Sequence, residues 1–328
     1  MTLVLTRSDI ESLVDTTAAI EVVEAALRAG VTGGVQQSAP FVIPTGDDSA
    51  AYLVLAAFDA SRRMASAKLL ADLPDNRGTA LPAQRSVIVL SSAVDGAPVA
   101  ILDGRIPTRE RTAATSAVAT RALARADSRI LGLIGTGGLA EPHVRAIAAV
   151  RDIRAVVAWS RSRSTAEHFA RALGDDAPPV EILDSPREVA ERADVLCTLT
   201  PSLEPVVRGE WLRPGVHVNA VGAPPRPDHR ELDSDAVARA SVFVDDRETV
   251  LSESGDVLVP LTEGRIAPSD LLATLGEVVA GLHGGRTSHG EITLFDSVGM
   301  GLEDLAICAH YVAVARERGI GREIDLTE

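Results

Sequence analysis

Lysine is nearly missing from this chain of 328 residues: of its 32 basic residues only Lys68 is not arginine. No basic run exceeds two residues, and acids outnumber bases 46 to 32, a net charge of −14. That field repels nucleic acid and anionic membranes, so neither is an expected partner. Cysteine is scarce too. Cys197 and Cys308 lie in apolar segments, which points to two buried reduced thiols and away from disulfides or structural zinc. His143, His168, His217, His229, His283, His289 and His310 have no metal-ligand spacing, so no metal site is expected. No apolar run approaches the roughly 18 residues of a membrane span. The opening MTLVLTRSDIE lacks the pattern of a signal peptide, so the expected location is the cytoplasm. No Ser-His-Asp or Cys-His constellation, repeat or low-complexity tract stands out.

What is present begins with that single lysine. Arginine holds its proton at any accessible pH, whereas a partly buried lysine can release one. Lys68 is therefore either a compositional accident or the one position where proton release matters.

The order of elements bounds the fold. AAIEVVEAALRAG, behind the caps Asp15, Thr16 and Thr17, has helical spacing and is expected to stop at Gly30. Residues 38–103 read as short strands: APFVIP, AAYLVLAAF, MASAKLL, SVIVLSS and PVAILDG. An Ala-rich helix is expected from about Pro107 to Ala126. Strands at 131–135, 155–159, 194–199, 216–222 and 241–245 then alternate with helical or turn segments, the pattern of a doubly wound parallel sheet. A strand, a glycine turn and a long helix close the chain.

Gly135-Thr136-Gly137-Gly138-Leu139-Ala140 follows an apolar strand and opens a helix, the setting a dinucleotide fingerprint requires. Gly135 permits the tight turn, Gly137 lets a pyrophosphate approach, and Ala140 allows close helix–strand packing. The bland alternative is a glycine turn without ligand. About 20 residues on, NAD-binding folds usually carry an acid for the ribose. Here the chain reads Ser160-Arg161-Ser162-Arg163, hydroxyls and guanidiniums suited to a 2′-phosphate, so NADP(H) is favoured. If Arg161 and Arg163 are only solvated helix-start residues, NAD(H) is equally possible.

Lys68 in its strand, LDGRIPTRERTAATSAVAT (102–120), LGLIGTGGLA (131–140), GEWLRPGVHVNAVGA (209–223), VFVDDRE (242–248), ESGDV (253–257) and EITLFDSVGMGLEDLA (291–306) together resemble the ornithine cyclodeaminase/mu-crystallin family, over nearly the whole chain. The resemblance implies an α/β fold: a Rossmann dinucleotide-binding domain at 116–294 and a discontinuous α+β substrate and dimerisation domain at 1–115 and 295–328. It implies a homodimer acting on a small imine or amino-acid-like substrate. The chemistry would be hydride exchange between a nicotinamide cofactor and a carbon bearing nitrogen. Lys68 matches the family's active-site lysine, and Arg111 matches the arginine that holds a substrate carboxylate. An ion pair with Glu110 on the helix surface is the plainer reading of Arg111. Thr112 matches a residue near the cofactor phosphates, and Thr198, Ala220, Val221 and Gly222 join the candidate cofactor lining.

Two departures shape the functional reading. Pro224 stands where cyclodeaminases carry an acid, and the segment through Glu231 is closer to the mu-crystallin, ketimine-reducing branch. Asp228 is expected to cap the following turn or helix. Pro40 stands where the family commonly has a second carboxylate-binding arginine, for which Arg62 or Arg63 would have to compensate. Glu303 and Asp304 read as acids suited to a helix start, and Asp245-Asp246-Arg247 as a structural turn. The reading favoured is NADPH-dependent reduction of a small, cyclic imine. An NAD-dependent cyclodeaminase or amino-acid dehydrogenase is the alternative, and a non-catalytic NADPH- and ligand-binding protein stays open.

Overall fold

Residues 51–103 alternate apolar with small or polar side chains, the period of a sheet buried on one face. The computed structural model describes residues 1–45, 50–76, 79, 81–174 and 177–326; the end of the expected C-terminal segment, 327–328, lies outside the described residues. The chain divides into two compact units, Met1–Arg111 with Met300–Glu328, and Thr112–Gly299.

The first unit opens with β1 (Thr2–Leu5), α1 (Arg7–Glu11), α2 (Thr16–Val31), β2 (Val35–Gln37) and β3 (Phe41–Pro44). It continues through β4 (Ala51–Asp59), β5 (Met64–Asp72), β6 (Gln84–Ser92) and β7 (Pro98–Asp103). Asp15 caps α2 by accepting from the Ala18 N–H at 3.0 Å. The helix runs past Gly30, its expected stop, to Val31. Gly30 answers a packing need instead: a Cβ there would lie 3.1 Å from the Leu302 side chain.

Helix α3 (Arg105–Leu123) starts before the expected Pro107 because the Asp103 carboxylate receives the Arg105 N–H at 3.0 Å. It ends before Ala126. There the Arg151 guanidinium takes the Thr120 and Arg121 carbonyls at 3.0 and 2.9 Å, as a cation at a helix C-terminus should.

The second unit runs β8 (Ile130–Ile134), α4 (Ala140–Val150), β9 (Ala155–Trp159), α5 (Arg163–Ala172), β10 (Val180–Ile182), α6 (Pro186–Arg192), β11 (Val195–Thr198) and β12 (His217–Ala220). It then adds α7 (Ser234–Ala238), β13 (Ser241–Val244), α8 (Arg247–Glu253), α9 (Gly255–Thr262), β14 (Leu271–Thr274), α10 (Leu275–Val279) and β15 (Thr293–Asp296). Its sheet is parallel, in the order β10-β9-β8-β11-β12-β15-β13-β14. The strands are near-continuous Val, Leu and Ile because both faces are covered. The order reverses between β8 and β11, and ligands of such sheets bind beyond the carboxyl ends at that switch.

The chain then returns to the first unit with α11 (Gly301–Arg318), stopped by Gly319 in the left-handed conformation, and β16 (Arg322–Ile324). The first sheet runs β16-β1-β7-β6-β5-β4-β2, with β3 also on β4. Helix α11 packs on β4, β5 and β6. Among the described residues no helix is long and apolar enough to cross a membrane, and no cluster of His, Cys, Asp or Glu forms a metal site.

Candidate active site

In the second unit the fingerprint occupies the β8–α4 turn. Gly135 has φ +101°, and a Cβ there would lie 2.8 Å from the Leu199 carbonyl oxygen, so only glycine makes this turn. A Cβ on Gly137 would meet nothing within 4 Å, which leaves open space over the backbone. Gly137 and Gly138 are exposed and Leu139 is half-buried, with no side chain capping the start of α4. The buried Thr136 Oγ1 has no hydrogen-bond partner among the described residues. An uncapped helix start, an orphaned hydroxyl and bare glycine backbone fit a pyrophosphate. These residues suit a dinucleotide.

At the end of β9, Ser160 is half-buried. Ser162 caps α5, receiving the Thr165 N–H at 3.3 Å, and Arg163 pairs with Asp184 at 2.9 Å. Arg161 is exposed and forms no ion pair among the described residues. Of the two arginines at this edge, it is the one left for a ligand.

The strands beside the switch end on a carboxylate that the sequence reading passed over. Glu231 is fully buried. It receives Thr198 Oγ1 at 2.7 Å, the Thr200 N–H at 2.6 Å, Thr200 Oγ1 at 2.7 Å and the Gly222 N–H at 2.8 Å. It thereby ties the loop after β11 to the loop after β12, where Ala220, Val221 and Gly222 lie. A Cβ on Gly222 would come 2.1 Å from the Thr200 nitrogen, so this glycine serves the loop contact itself. Burial pushes the Glu231 carboxyl above its ordinary range against the pull of these donors. Around it Asp256 receives the Glu231 and Leu232 N–H groups, and Asp245 receives Ser297 Oγ and the Gly299 N–H. Asp296, buried among these acids, is pushed up to about 7 by loss of water.

Pro224 is buried and Asp228 is exposed. Asp228 caps no helix: it sits in a turn and accepts from the His229 ring at 2.9 Å, while Asp233 caps α7 by receiving the Ala236 N–H. The helix position is held by Asp233, next to the buried Leu232. His289 is exposed beside Arg125, and Asp246 caps α8, as a structural turn would require.

In the first unit β5 carries Lys68 on its covered face. Its cross-strand neighbours are Leu55 and Ile88, both buried, and α11 lies over them. Lys68 is 2% exposed. Its ammonium donates to Thr108 Oγ1 at 2.8 Å and to the two Asp304 oxygens at 3.2 and 3.1 Å. Thr108 spends its own proton on the Gly104 carbonyl at 2.7 Å, so it meets the ammonium as an acceptor.

Arg111 reaches the same carboxylate through Nε at 3.3 Å, and Glu303 through Nη1 at 3.0 Å. It is 7% exposed, a buried rather than a surface arginine. Burial pulls the Lys68 ammonium below its ordinary range and Arg111 adds to that, while Asp304 opposes it. Burial holds the neighbouring Cys308 as a neutral thiol.

Glu303 and Asp304 are therefore more than dipole acids: both are buried and both are paired with cations. Their signal in the sequence was two adjacent acids inside the apolar stretch GLEDLAICA. Pro40 is half-buried just before β3. Arg62 pairs with the buried Asp59 at the β4–β5 turn, and Arg63 turns the chain there with φ +51°.

A sequence-family profile, the ornithine cyclodeaminase/mu-crystallin family, matches residues 1–317. Ketimine reductase mu-crystallin of Mus musculus is 37% identical over 277 residues, 84% of each chain. The structure of Thermococcus litoralis Δ1-pyrroline-2-carboxylate reductase in complex with NADH and L-proline superposes with a TM-score of 0.94. It is 35% identical, covering 98% of this chain and 100% of that one. An archaeal alanine dehydrogenase dimer with bound NAD gives 0.93 at 32% identity, covering 99% of each chain. By profile, by identity along the chain and by backbone, this protein belongs to the ornithine cyclodeaminase/mu-crystallin family.

Proposed function

We propose that this protein reduces a small cyclic imine to the amine with NADPH, in the manner of the ketimine-reducing members of its family. The buried Lys68 carries the reading. Burial weakens the hold of its ammonium on the proton, and the Asp304 carboxylate beside it opposes that loss. An imine accepts hydride readily once its nitrogen is protonated, and an ammonium poised in this way is a general acid for that step. The Nζ–H bond of Lys68 breaks, its proton goes to the imine nitrogen, and the electron pair stays on Nζ. Arg111 lies beside it, and its fork is suited to holding a carboxylate on the substrate.

Gly135, Thr136, Gly137, Gly138, Leu139 and the start of α4 would hold the pyrophosphate. Thr112, Thr198, Ala220, Val221 and Gly222 would complete the cofactor lining. When bound, the reduced nicotinamide supplies the hydride. Ser160, Ser162 and the unpaired Arg161 support a 2′-phosphate on the ribose, hence NADP(H) before NAD(H). On this reading the second unit is the dinucleotide-binding domain and the first the substrate domain.

The first unit also supports a homodimer, the state of the archaeal alanine dehydrogenase. Phe41, Val54, Leu69 and Val87 stand in register on the uncovered face of its sheet, and Phe41, Leu69 and Val87 are 64, 42 and 39% exposed. Such a row belongs under a second subunit.

The test is oxidation of NADPH, and of NADH beside it, with a five- or six-membered cyclic imine with and without its carboxylate. Turnover of the carboxylate-bearing imine, faster with NADPH, is the expected result. NAD+-dependent release of ammonia from an amino acid, without imine reduction, would move the protein to the dehydrogenase reading.

A further inference from the structure

We infer that Asp304 is the positioning residue of the site: it fixes the Lys68 ammonium in place and sets the pH range over which that ammonium exists. The catalytic meaning of this assignment rests on the reductase reading, but the assignment itself can be tested without turnover.

The geometry is specific. A lysine ammonium has three protons, and here all three have acceptors: one goes to Thr108 Oγ1 and two go to the Asp304 oxygens. Thr108 has already donated to Gly104, and an ionised carboxylate has no proton to give. A neutral Lys68 amine would find acceptors on these sides and no donor for its lone pair. The surroundings are therefore built for the charged form.

Around Lys68, the described residues on each packed element are these. β4 and β6 present Leu55 and Ile88, α3 presents Thr108 and Arg111, and α11 presents Asp304 and the neutral Cys308. Burial and Arg111 work against the ammonium, leaving Asp304, among the described residues, as the one group in hydrogen-bond contact with Nζ that supplies negative charge. Glu303 acts one step removed, on the far side of Arg111, at 3.0 Å from Nη1. The two adjacent acids thus have different work: Asp304 holds the lysine, and Glu303 holds the arginine.

The chain's composition supplies the test. With one lysine in the sequence, protein labelled with [ε-13C]lysine gives a single Cε resonance that follows Lys68 and needs no assignment. Its titration midpoint is expected to fall by about one pH unit or more in Asp304→Asn, because an opposite charge at this distance is worth that much. In Glu303→Gln the midpoint should move less. Imine reduction requires the ammonium, so kcat/KM falls as pH rises through that midpoint. The descending limb should therefore move to lower pH in Asp304→Asn, with NADPH affinity unchanged.

An unshifted Cε midpoint in folded Asp304→Asn overturns the assignment. So does a shift equalled by Glu303→Gln. If Asp304→Asn does not fold, Asp304→Glu decides. It keeps the charge but moves the oxygens, and it should keep the midpoint near that of the wild type while kcat drops. An unchanged kcat, or a midpoint lowered despite the retained charge, would count against Asp304. If no imine is turned over at all, the reductase reading fails while the Cε titration still reports on Asp304.

Discussion

The two units bury charge in opposite ways. In the first, Lys68 and Arg111 face Asp304 and Glu303, cation against anion. In the second, Glu231, Asp245 and Asp256 are met by backbone N–H and hydroxyl groups, with no ion pair to them or to Asp296 among the described residues. Desolvation is severe in both, but the remedies differ. A counter-ion keeps an ammonium charged in a dry place, where it can still give up a proton to a substrate. Neutral donors compensate less, so Asp245, Asp256 and Asp296 drift toward their protonated forms. The contrast sets a charged pair of cations and anions in the first unit against acids that tie loops together in the second.

The sharpest break in this contrast comes from Lys68→Met. Imine turnover should fall about 10²–10⁴-fold, the usual worth of a positioned general acid, with NADPH affinity near that of the wild type. Equal loss of cofactor binding would mean that the two units do not divide the work as proposed.

Glu231→Gln tests the other cluster. It leaves at least one of the four donors on Glu231 without its acceptor. The expected cost is about 1–3 kcal/mol of stability, read in urea unfolding, with weaker cofactor binding and an unmoved pH profile. A displaced pH profile would give this acid a part in proton transfer.

Gly137→Ala separates the cradle from the fold. Because a Cβ there meets no protein atom within 4 Å, the melting temperature should hold while cofactor affinity drops by at least about tenfold, or about 1.4 kcal/mol. Full affinity would place the pyrophosphate away from this turn.

The smallest effect concerns pH. Asp296 has its folded pKa raised to about 7, while an unfolded aspartate titrates near about 3.9. Between those values the folded chain binds the extra proton, so this group costs stability as pH rises through that window. Asp296→Asn should melt with the wild type at about pH 4, pull ahead of it as pH rises through that window, and stand several degrees above it at about pH 8. A constant offset across that range would mean that Asp296 does not titrate in the folded chain.

The sequence made the second unit easier to read than the first. A strand, a glycine turn and a helix are consecutive, so Gly135, Gly137 and Ala140 announce their geometry locally. Arg111 illustrates the opposite case. Its neighbour in the sequence is Glu110, which suggested a surface pair, whereas Glu303 and Asp304, which it bonds from a buried position, lie 192 and 193 residues away on α11. Asp228, expected to cap a turn or helix, sits in a turn, and the helix start went to Asp233, which caps α7. Glu231 gave no local sign, because its four donors come from two loops that only the order of strands in the sheet brings together.

Composition and local pattern by themselves determined the acidic character of the chain, the parallel α/β core and the glycine turn between β8 and α4, and they singled out one lysine. These follow from neighbours along the chain and from rules of period and turn. The tertiary structure decided what surrounds that lysine. Lys68 and Asp304 are 236 residues apart and meet because α11 returns to cover the face of β5. Water leaves as that face is buried, and without Asp304 beside it the ammonium would lose much of what keeps it charged.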